Sequence, residues 1–118
     1  MSRIYNLKLL GGATENPSGA PHGRGRAVIS LRGKKNQVCW KFRSLRGFSK
    51  PNAAHIHIGS AGTSGNVVVP LSTDPKFKRA GCVSAAPAMI KAIAANPNGF
   101  YVNIHSATYP EGAVRSQL

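Results

Sequence analysis

The chain reads as an all-β protein, an antiparallel Greek-key β-sandwich with one short helix. Three observations predict this. Six or seven short runs alternate apolar and polar side chains, Gly- and Pro-rich turns separate them, and only residues 85–95 carry a helical period. At 118 residues the chain suits a single hydrophobic core, so one domain is expected over residues 1–118.

The first strand runs over Ile4–Leu10, where Leu7, Leu9 and Leu10 supply the apolar side chains. Residues 11–25 are rich in glycine, with Pro17 and Pro21, and predict a long loop that contains Glu15 and His22. From Arg26 to Arg32 the alternation is clean, with Ala27, Ile29 and Leu31 inward. Gly33-Lys-Lys-Asn36 is turn material, and Gln37–Leu45 alternates again with Val38, Trp40 and Phe42 on one side. These two runs predict a hairpin with an apolar inner face, including a core Trp40, and a basic outer face. Residues 46–52 form a turn, 53–59 a strand and 59–65 a small-residue loop. Val67–Leu71 reads as a short buried strand ended by Pro70 and Asp74-Pro75. A helix over residues 85–95 stops at Asn96-Pro97. A strand over residues 100–105, a turn at 109–112 and a closing strand over 113–118 complete the order.

Charge is the extreme feature of the composition. Sixteen Lys and Arg face only Glu15, Asp74 and Glu111, giving a formal net charge of +13. Such a field attracts nucleic acid, acidic polysaccharide or an anionic surface. Arg26, Arg32, Lys34, Lys35, Lys41 and Arg43 fall on or beside the outer hairpin face and are the candidate anion-binding residues. The aromatic side chains are assigned mostly inward, which argues against sequence-specific nucleic-acid recognition. Glu15 and Arg115 could form a bidentate pair tying the early loop to the last strand, or stand as two unrelated surface charges.

No apolar run approaches a membrane span, and Met1-Ser-Arg-Ile-Tyr5 does not resemble a secretory signal. The chain is then either cytoplasmic or a mature domain whose export signal has been removed. Cys39 and Cys82 are too far apart for a C-x-x-C motif. One disulfide is the economical reading and would imply an oxidising compartment; two buried thiols are the alternative.

The sharpest chemical signal is histidine. In a strand, successive side chains point to opposite faces. His55 and His57 therefore share one face while Ala54, Ile56 and Ile58 take the other. On the later strand Tyr101, Asn103 and His105 share a face opposite Val102 and Ile104. Imidazoles at i and i+2 are roughly 7 Å apart at their Cα atoms, close enough to converge on one ion with a third from a neighbouring strand. An all-imidazole set suits copper or, as the alternative, zinc. His22 is a candidate fourth ligand, and Tyr101 and Asn103 are candidates to support the ligating rings. Proton competition should weaken such a site below about pH 6.5. No G-x-S-x-G, P-loop or H-E-x-x-H motif is present, so a binding module is expected in preference to a hydrolase.

Ala54-His-Ile-His57, the small-residue loop and Val67-Val-Val-Pro-Leu71, Gly81-Cys82, Asn96-Pro97, Tyr101-Val-Asn-Ile-His105 and Pro110-Glu-Gly-Ala-Val-Arg-Ser-Gln-Leu118 together resemble the CHRD domain. This module is named from chordin and is also found as small bacterial and archaeal proteins. Gly12-Ala-Thr-Glu-Asn-Pro17 and Val38-Cys39 resemble its first half. The resemblance implies an all-β, extracytoplasmic domain, secreted or periplasmic. Ser116 departs from it, since the family more often has glycine before Gln-Leu. The order His-x-His and then a late histidine also looks like copper/zinc superoxide dismutase, another Greek-key sandwich. The chain shows no equivalent of that family's metal-bridging histidine or zinc aspartate, which argues against dismutation.

Overall fold

The computed structural model describes residues 1–73 and 76–118. Its strands are β1 (Ser2–Leu10), β2 (Arg24–Arg32), β3 (Gln37–Arg46), β4 (Pro51–Ile58), β5 (Val67–Ser72), β6 (Ala80–Ser84), β7 (Phe100–Ser106) and β8 (Val114–Gln117). A single α-helix, α1 (Pro87–Ala95), precedes β7. The strands form one antiparallel sheet in the order β5-β4-β7-β8-β1-β2-β3-β6. Its two edge strands, β5 and β6, approach each other, so the two layers of the expected sandwich are halves of one curled, nearly closed sheet.

Alternation explains the core. Leu9, Ile29, Leu31, Val38, Trp40, Phe42, Ile56, Val102, Ile104 and Val114 project inward from six strands and are buried together. Helix α1 starts at Pro87, where the missing N–H costs nothing, and places Ile90 and Ile93 into the same core. Trp40 satisfies its indole by donating to the Lys78 carbonyl at 2.9 Å.

Beside two-residue shifts in the starts of β1, β4 and α1, three departures from the sequence expectation have a physical reason. β2 begins at Arg24 and not Arg26, because an irregularity between Arg24 and Arg26 lets pairing with β3 continue to Arg46. Pro70 does not end β5. It lies inside an edge strand, where an absent N–H breaks no ladder on the open side. The expected stop at Asp74-Pro75 lies outside the described residues. β6 is an additional strand, and it pairs Cys82 directly opposite Cys39. Those residues form a disulfide, so the alternative of two thiols does not hold. Closing its 43-residue separation contributes up to about 4 kcal/mol on a chain-entropy estimate. Among the described residues no helix is long and apolar enough to cross a membrane.

Candidate metal centre

Directly opposed residues of antiparallel strands share a face, and β7 lies between β4 and β8. The register sets His57 opposite Tyr101, His55 opposite Asn103 and Ala53 opposite His105. On the other side Tyr101 meets Gln117 and Asn103 meets Arg115. The outer face of β4, β7 and β8 therefore gathers three imidazoles, a phenol, two amides and a guanidinium. Their strand neighbours Ala54, Ile56, Val102, Ile104 and Val114 fill the core on the opposite side.

The three imidazoles form one group. His55 Nδ1 lies 2.9 Å from His105 Nε2, and one ring nitrogen from each histidine lies within 4.8 Å of the others. The rings of His55 and His105 meet edge-on with centroids 4.8 Å apart. Tautomers follow from the carbonyl partners, because a carbonyl can only accept. His57 Nδ1–H donates to the Gly65 carbonyl at 2.9 Å, and His105 Nδ1–H donates to the Pro110 carbonyl at 2.9 Å. The neutral His105 ring thus keeps its lone pair at Nε2, and His55 Nδ1–H donates to it. His57 Nε2 lies 2.9 Å from the Asn103 Oδ1 position, and because a ring protonated at Nδ1 can only accept there, the amide must turn its N–H toward that lone pair.

Loops cover this outer face. Gly65 supplies the carbonyl at His57 from a turn so tight that a Cβ there would overlap the Ile58 carbonyl oxygen. Arg115, only 1% exposed, holds the same loop by donating to the Ser60 and Thr63 carbonyls and to Gln117 Oε1. Gln117 Nε2 donates to the Gly59 carbonyl at 3.0 Å, and the Gly65 N–H donates to the Tyr101 hydroxyl at 3.0 Å. Tyr101 stacks parallel to His57 with centroids 4.8 Å apart. The Arg115 guanidinium sits 3.4 Å from the Tyr101 ring centroid, so strands on both sides clamp this ring.

Burial sets the electrostatics. Desolvation, reinforced by the neighbouring rings of His105 and His57, pushes the His55 pKa down to about 4. Desolvation also lowers His105, against the opposing pull of its Pro110 hydrogen bond. His55 and His105 thus stay neutral and available as ligands below the ordinary histidine range. Burial moves proton competition at these two rings below the ordinary imidazole value of about 6.5.

The remaining sequence candidates divide. Tyr101 and Asn103 both touch His57. His22 is exposed on the turn after Ala20 and is not part of the histidine group. Glu15 and Arg115 are neither surface charges nor a bidentate pair. Both are buried, but Arg115 spends its donors on loop carbonyls and Gln117, and Glu15 Oε2 is buried with no hydrogen-bond partner. Desolvation drives the Glu15 pKa up to about 8 despite the attraction of Arg115. Of the basic candidates, Arg26, Lys41 and Arg43 line one groove on the outer face of β1–β3, while Arg32, Lys34 and Lys35 lie at another depression beside Met1 and Ile4. The Gly65 and Pro110 carbonyls and the Arg115 clamp escaped the sequence reading. Backbone carbonyls carry no residue signature, although the glycine spacing of residues 59–65 marked the loop.

The chain matches the CHRD domain family over residues 8–118 and belongs to it. No curated protein and no solved structure matches the chain.

Proposed function

We propose that this CHRD domain holds one transition-metal ion through His55, His57 and His105, copper in the first place and zinc as the alternative, outside the cytoplasm. The observation that carries the proposal is the His55 Nδ1 to His105 Nε2 spacing of 2.9 Å, with the third ring's nitrogen inside the same 4.8 Å group. Ligand nitrogens at right angles on an ion with bonds of about 2.05 Å are about 2.9 Å apart, and opposed ones about 4.1 Å. One pair already has ligand spacing, and the widest pair needs to close by under roughly 1 Å. The carbonyls at Gly65 and Pro110 hold protons on the Nδ1 atoms of His57 and His105. That leaves Nε2 as the ligating atom of both, the outer support that metal-bound histidines ordinarily have.

Loading an ion asks two things of the chain. His55 must release the Nδ1 proton it now donates to His105, and His57 Nε2 must give up its contact with Asn103. His55 is half-exposed, so the group faces solvent on that side and leaves a coordination position that water could fill. Bound copper would supply one-electron redox capacity, and zinc a Lewis acid. Copper is preferred because divalent affinity rises to Cu(II) along the first row. The disulfide and the family support an oxidising, extracytoplasmic setting.

Titration of metal-free protein with Cu(II) is the test, followed by calorimetry and electron paramagnetic resonance. About one equivalent should bind with nitrogen hyperfine structure, and ion present at 100-fold its Kd should stabilise the fold by about 2.7 kcal/mol. His57→Ala should abolish both effects. Equal copper uptake and equal thermal response in His57→Ala would remove the proposal.

A further inference from the structure

The other outer face of the sheet, on β1–β3, carries a feature that a metal site does not use. In β1–β3 the register places Lys8 opposite Arg26, and Arg26 opposite Arg43. One row along, Leu10, Arg24 and Arg46 are aligned in the same way. Rows of one face repeat every two residues, roughly 6.8 Å along the strand. Lys41 stands opposite Val28 in the row on the far side. The result is a groove of about 310 Å³ lined by Lys8, Arg26, Lys41 and Arg43. A second depression of about 340 Å³ shares Lys8 and Arg26 and reaches Arg24 and Arg46.

Like charges directly opposite one another destabilise a sheet, and among the described residues no acid pairs with them. β1–β3 contain no acid. Glu15 is buried elsewhere. Among the described residues the side chains of Lys8, Arg26, Lys41 and Arg43 donate to no protein oxygen. All four are exposed.

We propose that this face is a binding groove for a linear acidic polysaccharide carrying sulfate or carboxylate groups. Successive cationic rows along the strands match a ligand with repeated anionic groups better than a single small anion. The groove has no aromatic side chain among its lining residues, whereas binders of single-stranded nucleic acid stack bases on aromatic platforms. The disulfide points to an oxidising compartment, where acidic polysaccharides are the abundant linear polyanions. Lys34 and Lys35, at the far end of the hairpin, are outside the groove.

Metal-free protein should be titrated with a heparin oligosaccharide at increasing salt, beside single-stranded and duplex DNA and phosphatidylglycerol vesicles. Heparin binding should fall steeply with salt, and Arg26→Glu with Arg43→Glu should weaken it by about tenfold or more. Lys34→Glu with Lys35→Glu, an equal change in net charge, should weaken it by less than about threefold. Should the first double variant not fold, Arg26→Gln alone should cost about threefold. His57→Ala should leave heparin affinity unchanged. Equal losses in the two double variants, flat salt dependence, or tighter binding of DNA or vesicles than heparin would overturn the groove or its assigned ligand.

Discussion

Two outer faces of one sheet have opposite fates. On β4, β7 and β8 the outward side chains are covered by the 59–65 loop and the turn at Pro110, and nearly every polar atom there has a partner. On β1, β2 and β3 the outward Lys8, Arg26, Lys41 and Arg43 are exposed, and among the described residues they donate to no protein oxygen. Strand alternation is the same in both. What separates them is which loop folds back over the strands and the presence of Arg115, whose buried guanidinium draws loop carbonyls down onto the sheet. Covering a polar face fixes side chains and moves pKa values; leaving one open preserves charge for something outside the molecule.

The comparison is broken most forcefully by removing the clamp. Arg115→Met leaves the Thr63 carbonyl and Gln117 Oε1 without the guanidinium donor and takes one of three donors from the Ser60 carbonyl, and should cost roughly 3 kcal/mol in urea unfolding. A loss under about 1 kcal/mol would mean the loop is held by other contacts. Next in size is Glu15. Its folded pKa of about 8 stands above the ordinary carboxylate value of 4.5, so the native state binds the extra proton between those values. Stability contributed by Glu15 is complete below 4.5 and is lost as pH rises through 8. Glu15→Gln cannot ionise, so its melting temperature should exceed that of the parent at pH 9 and converge with it near pH 5. Histidine acts in the opposite sense. His55 at about 4 lies below its ordinary 6.5, so the unfolded chain binds more protons in that window, and metal-free protein should lose stability as pH falls from 6.5 towards 4. Replacing His55 by Asn should flatten that limb. The smallest effect belongs to the bare face. Arg26→Gln relieves repulsion from Lys8 and Arg43 and should stabilise by no more than about 0.5 kcal/mol, only at low salt.

Much of this contrast was legible in the residues. Alternation placed Ile56, Val102 and Ile104 inward and the histidines outward, because one covered face and one apolar face leave a period of two in the sequence. The pairing of Cys39 with Cys82 was legible as the economical choice. β6 was not: Ala80-Gly-Cys-Val-Ser84 is short and poorly apolar, and its place comes from the disulfide and from Gly81 lying against the Trp40 ring. Pro70 misled because a strand-breaking residue is harmless on an edge, and edge position is a property of the sheet. Glu15 and Arg115 misled because opposite charges suggest a pair, yet backbone carbonyls offered the guanidinium more acceptors. The basic groove was half visible. Lys8 joined it only through the β1–β2 register, while Lys34 and Lys35 left it for the turn.

The 59–65 loop meets His57 and Arg115 through main-chain oxygens alone; its side chains at Ser60, Ala61 and Ser64 face solvent, while the Thr63 hydroxyl donates back to the Ser60 carbonyl at 2.7 Å. The imidazole cradle is therefore written in backbone and the rim around it in freely exchangeable letters. Evolution, or a protein engineer, could re-address what approaches the centre by rewriting Ser60, Ala61 and Ser64 while the scaffold beneath stays untouched.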